Sequence, residues 1–128
     1  MRITLPVLVL AIAALTACTP GVDTAATPAP ISAQDMAFVE AAVTDTMRDP
    51  ASAQFRRWAG YALANGDSVA CGEVNGRNGF GGYVGFAPFY VRYAGSTLKR
   101  MHVDDGTGYG PAGIGCGEAA RGVVQVSD

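Results

Sequence analysis

An apolar stretch from Ile3 to Leu15, preceded by Met1 and Arg2, decides how the rest of the chain is read. Thirteen helical residues rise only about 20 Å, short of the about 30 Å of a bilayer's hydrocarbon core, so the stretch does not span. A short positive start, an apolar middle and the small residues Thr16 and Ala17 describe an export signal instead. Residues 1–17 hold thirteen of the apolar residues and one charge. The 111 residues that remain are about 45% apolar, the ordinary range for a globular domain, and their number suits one domain. Disorder over the whole length is excluded. Eight Lys and Arg stand against eleven Asp and Glu in that remainder. Without a basic cluster the chain lacks the footprint that neutralises phosphates, and no nucleic-acid partner is expected.

The signal ends in Leu15-Thr16-Ala17-Cys18. This run resembles the lipobox of bacterial lipoproteins, which reads Leu, small, small, Cys, and all four positions match. The resemblance implies cleavage before Cys18 and acylation of its thiol. Two or three acyl chains, at about 0.8 kcal/mol per buried methylene, then anchor the chain in a lipid membrane without a transmembrane helix. The alternative is an ordinary secretory cut that leaves Cys18 as a free thiol. Thr rather than Asp at position 19 implies, by the rule for enteric lipoproteins, the outer membrane, with the protein facing the periplasm. If Cys18 carries lipid, Cys71 and Cys116 remain as a pair, and a disulfide is the expected state in an oxidising envelope. Closing a loop of about 45 residues stabilises a fold by about 4 kcal/mol. A metal site is the rival, but two Cys and the distant His102 fall short of four ligands, so no metal is expected.

Residues 19–31, TPGVDTAATPAPI, combine Pro, Gly and small side chains that bury little surface, and are expected to be a disordered tether. The domain is then residues 32–128. Ser32 reads as an N-cap with Asp35 three positions on, and Met36, Val39, Val43 and Met47 recur at helical spacing up to Asp49-Pro50. Asp49 and Pro50 suit a short turn through Ser52 and Ala53. Strands are predicted at 55–63, with Phe55, Ala59, Tyr61 and Leu63 on one face and Arg56 and Trp58 on the other, and at 68–75, 83–93 and 98–103. Asn65-Gly66-Asp67 supplies a hairpin turn, Pro88 asks for an edge or a bulge, and a short last element falls at 123–126. The segment DDGTGYGPAGIGCG, with six Gly and one Pro, reads as irregular. The expected fold is α+β, an N-terminal amphipathic helix on a four- or five-stranded antiparallel sheet stapled by the disulfide.

Two segments stand out, Asp49-Pro50-Ala51-Ser52-Ala53-Gln54-Phe55 and the run from Cys71 to Tyr83, CGEVNGRNGFGGY. Together they resemble a family of small exported bacterial proteins with D-P-x-S-A-x-F followed by C-G-x-V-N-x-x-N-x-x-G-G-Y, over about residues 35–93. The resemblance implies a shared domain and brings no activity, catalytic residue or cofactor with it. Read physically, the second run is a glycine loop whose Asn and Gly residues bond their own backbone and tolerate positive φ. It also offers a polar rim of Glu73, Asn75, Arg77 and Asn78 with Phe80 and Tyr83 as aromatic anchors, a composition suited to recognition.

Other constellations carry less. Gly106-Thr107-Gly108-Tyr109-Gly110 lacks the Gly-Lys-Ser/Thr of a phosphate cradle, and Asp104-Asp105-Gly106 lacks the alternating ligands and closing Glu of a calcium loop. His102 has no identifiable nucleophile to serve. Arg56, Arg57, Arg92, Lys99 and Arg100 charge neighbouring strands and, if clustered, would suit anionic headgroups or glycan phosphates. The expected function is a membrane-anchored, non-enzymatic binding or assembly module, without a cofactor, that recognises an envelope protein or cell-wall component. The alternatives are an envelope hydrolase using Glu73 with Asp104 or Asp105 against cell-wall glycan, and an inhibitor of host lysozyme or protease.

Overall fold

A computed structural model describes residue 18 and residues 20–127, so the stretch expected to be an export signal lies outside the described residues. The chain runs β1 (Val22–Pro28), α1 (Ala33–Thr44), a 3₁₀ turn (Pro50–Ser52), β2 (Gln54–Leu63), β3 (Ser68–Asn75), β4 (Ala87–Ala94), β5 (Thr97–Val103), α2 (Pro111–Arg121) and β6 (Val123–Val126). The six strands form one antiparallel sheet in the order β5-β4-β3-β2-β1-β6. It curls until its two edges approach, and Arg100 on β5 donates to the Ser127 carbonyl just past β6 at 3.0 Å.

The α+β class and the disulfide stand as expected, but the sheet has six strands and there is a second helix. The tether expected over 19–31 is for the most part β1. Residues 22–25 pair with β6 and residues 26–28 with β2, and Thr24 and Ala26 alternate inward. Small, proline-flanked residues form this strand because hydrogen bonds, to β6 along its first half and to β2 along its second, supply the order that their side chains cannot.

The glycine-rich segment expected to be irregular contains α2. Pro111 fits the first helical position, whose N–H would be unpaired in any case. The Asp104 carboxylate accepts from the Ala112 and Gly113 amides at 2.9 and 2.8 Å, so it neutralises the helix's positive end. Gly122, at φ 94°, ends the helix in the left-handed conformation. Cys116, in mid-helix, is bonded to Cys71 on β3 with 5.9 Å between Cα atoms. Gly115 lets the helix close on the sheet, since a Cβ there would lie 2.9 Å from the Tyr90 ring.

One helix covers each face. Val39 and Val43 of α1, both without exposed surface, pack on Ala70, Val74, Phe89 and Val91. On the opposite face Ala112 and Ala119 of α2 pack with Val69, Cys71, Tyr90 and Val124. The Ser32 hydroxyl caps α1 by accepting from the Asp35 amide at 3.0 Å. The faces expected for β2 hold only in part. Arg57 takes φ 57° and the register shifts between Arg56 and Ala59. This bulge brings Phe55 and Trp58 to the same side, stacked at 5.6 Å on the α1 face, while Ala59, Tyr61 and Leu63 serve the other core. β4 begins at Ala87 rather than at 83, so Pro88 falls at the strand's start, where a missing donor is tolerated.

Candidate functional site

The glycine loop joins β3 to β4 and is tied to the 3₁₀ turn, so the two motifs form one unit. The Arg77 amide donates to the Ser52 hydroxyl at 2.9 Å, and the Tyr83 hydroxyl donates to the Ser52 carbonyl at 3.1 Å. Asn78 folds the loop on itself, its side-chain oxygen accepting from the Phe80 and Gly82 amides at 3.0 and 3.2 Å. Asn75 is buried and accepts from the Gly85 amide at 3.0 Å. Gly76 leaves room for Met47, and Gly79 for Arg48, whose Nη1 would lie 2.6 Å from a Cβ.

Among the residues expected to form a recognition rim, the structure brings Arg77, Asn78, Phe80 and Tyr83 together. Asn75 and Asn78 spend their acceptors on the loop's own backbone. The Arg77 guanidinium lies 5.3 Å from the Tyr83 ring centre, and the Phe80 side chain is entirely exposed. Glu73 stands apart. It alternates with Cys71, so it projects on the α2 face, where Arg56 and Arg57 hold it at 2.6 and 3.3 Å.

Beside the loop, on the α1 face, lies a groove of about 660 Å³. It exists because α1 ends at Thr44 and leaves the end of the sheet uncovered. Val74 of β3, Ala87 of β4, Val103 of β5 and the exposed Val84 give it an apolar floor and lip. Arg48 and Arg77 flank one side, continuing α1 and β3, while Asp105 lies past β5 on the other. Thr107 donates to Asp105 Oδ1 from its hydroxyl at 2.6 Å and its amide at 2.9 Å, which holds that carboxyl below the ordinary aspartate range. Sequence reading named the loop, and Asp105 only as a candidate acid for glycan cleavage; it did not name Arg48 or Val103, which tertiary folding carries in from other elements.

Four of the five basic residues expected on neighbouring strands are paired with acids, and the fifth, Arg100, lies opposite Arg92 and donates to Ser127. Arg56 and Arg57 pair with Glu73, and Arg92 and Lys99 pair with Asp67 at 2.6 and 3.1 Å. Burial pushes the Asp67 carboxyl up, but hydrogen bonds from Lys99, Arg92 and Asn65 outweigh it and hold the group below its usual range. Of the acids weighed for glycan cleavage, Asp104 caps α2 and Glu73 is held by its two arginines. Among the described residues, no group of three His, Cys, Asp or Glu converges on a metal position, and no helix is long and apolar enough to cross a membrane. Cys18 is exposed and carries no disulfide. Comparison with family models, with curated proteins and with solved structures finds no match to this chain.

Proposed function

We propose that this chain is an envelope lipoprotein, anchored through acylated Cys18 in the outer membrane and facing the periplasm. Its domain is a non-enzymatic binding or assembly module that takes an envelope protein or cell-wall component through the glycine-loop groove. One observation supports this reading: the groove and the start of β1, from which the chain leads back to Cys18, lie at opposite ends of the sheet.

Gln54 pairs with Asn75 at the loop end, and Leu63 pairs with Ala26 at the far end of β2. Those ten residues span about 30 Å, and β1 continues outward for four more residues, a further 13 Å or so, to Val22. Cys18 lies four residues before Val22, within about 14 Å of it even when fully extended. A chain fixed at Cys18 therefore carries its groove about 40 Å outward along the strands. The exposed Phe80 and Val84 stand at that outer end, where large apolar side chains left in water suit contact with a partner.

Photo-crosslinking in intact envelopes tests the reading. A crosslinker at Phe80 or Val84 should yield a discrete adduct, whereas one at Leu98, equally apolar but on the hairpin at the other end, should not. The same adduct from all three positions, or none from the loop, overturns it. Cys18→Ser should release the protein from membranes, and persistence through carbonate washing refutes the anchor.

A further inference from the structure

We infer that the groove takes a short peptide with free termini, three or four residues long, carboxylate towards Arg48 and Arg77 and ammonium towards Asp105. The inference rests on the groove being the recognition site and names the chemistry of what enters it.

Arg56, Arg57, Arg92 and Lys99 have carboxylate partners, whereas among the described residues no acid pairs with Arg48, Arg77, Arg100 or Arg121. Of those four, Arg48 and Arg77 line the groove. Both lie on one wall of the groove. A guanidinium presents donors in a planar fork that matches a carboxylate, and beside an apolar floor that match is stronger than in open water. Asp105 stands on the facing wall, ionised at any neutral pH, with Thr107 engaging Oδ1.

The span follows from the sheet. Arg77 continues β3 and Asp105 continues β5, with β4 between them, so two strand spacings of about 4.8 Å put the walls about 10 Å apart. An extended chain of three residues covers that distance at about 3.3 Å each. Val74, Val84, Ala87 and Val103 line the space between, which suits small apolar residues in the middle of the ligand; of the polar residues that also line it, Asn78 and Asp104 already accept from backbone amides. The volume lies within the about 300–1,000 Å³ usual for small-ligand sites. An anionic lipid would satisfy the arginines but set its own charge against Asp105, whereas a zwitterion answers both walls.

The test uses the mature chain in neutral detergent, its glycines labelled with nitrogen-15, and the amide signals of Gly79 and Gly85 as reporters. Four probes are titrated: a pool of alanine- and valine-containing tri- and tetrapeptides with free termini, the same pool amidated at the C-terminus, the same pool acetylated at the N-terminus, and a soluble short-chain phosphatidylglycerol. The free pool should shift both signals, and amidation or acetylation should each weaken binding tenfold or more. Arg48→Ala with Arg77→Ala should erase the penalty for amidation, and Asp105→Asn the penalty for acetylation. All three positions are exposed, so the variants should fold. Equal response to free and blocked pools, or no shift at millimolar peptide, overturns the inference. Tight binding of the phosphatidylglycerol that improves in Asp105→Asn overturns it in favour of an anionic lipid. A Phe80 crosslink that persists while the termini make no difference refutes the peptide and leaves the recognition reading intact. Silence in both assays refutes both.

Discussion

Asp104→Ala should release the start of α2 while the rest of the fold stays in place. The carboxylate is buried and receives two backbone hydrogen bonds at 2.9 and 2.8 Å. Bonds to a charged group contribute about 1.5–3 kcal/mol each, and loss of an N-cap side chain costs about 1–2 kcal/mol in total where the chain can rearrange. The helix has little of its own to fall back on. Gly113, Gly115 and Gly117 leave it about 3 kcal/mol worse than an alanine helix of the same length. A net loss of about 2–3 kcal/mol follows, and for a domain near 100 residues it lowers the melting temperature by about 10–20 °C. Asp104→Asn keeps one acceptor oxygen and should cost about half as much. Because Cys116 is fixed to Cys71, the loss should be local. Hydrogen exchange should accelerate at the amides of residues 112–115 and much less on β3 and β4. A melting temperature within about 2 °C of the parent, or unchanged exchange in the first turn of α2, refutes the assignment of Asp104 as the group that holds this helix.

Three other perturbations separate packing from propensity. Gly115→Ala improves intrinsic helix propensity by about 1 kcal/mol yet should destabilise by about 1–3 kcal/mol, because the new methyl meets the Tyr90 ring next to the fixed Cys116; a rise in melting temperature would show that the helix can shift away. Deleting residues 19–28 removes β1, the partner of β6 and of the end of β2, and should lower the melting temperature by many degrees, where a plain tether would leave it unchanged. The Asp67 carboxyl titrates lower in the folded chain than in the unfolded one, so its contribution is complete above about pH 4 and drains as the pH falls below that. The stability gap between the parent and Asp67→Asn should therefore narrow from neutral pH towards pH 3 in urea titrations, and a constant gap contradicts the role given to the Asp67, Arg92 and Lys99 cluster.

Local signals found the elements that local forces build. Ser32 with Asp35, Asn65-Gly66 and Asp49-Pro50 each act within a few residues, and the α1 cap, the β2–β3 hairpin and the 3₁₀ turn lie where those residues put them. The elements missed are those assembled from a distance. β1 has a strand's hydrogen bonds without a strand's side chains, since its partners lie in residues 61–63 and 123–126. α2 is capped by an acid outside its own span and bonded to a cysteine 45 positions earlier, two supports that glycine content does not reveal. The bulge at Arg57 broke a face assignment that rested on strict alternation. The groove divides in the same way: Arg77 and Phe80 belong to a run that composition singles out, while Arg48 acquires meaning only beside it, and Asp105, weighed from the sequence as an acid for glycan cleavage, is placed opposite the arginines only by the fold.

The pairing of β1 with β6 also dictates a timetable. Residues 22–25 are among the first of the domain to be synthesised, and their partners, residues 123–126, among the last. Until those arrive, residues 22–25 lack the strand they pair with, and a contact closing about a hundred residues of chain is slow to form. A chain halted short of residue 123 would carry that bare edge, an invitation to pair with a neighbour in the same condition. The proposed export of this domain as an unfolded thread, released whole before it folds, would spare it that interval.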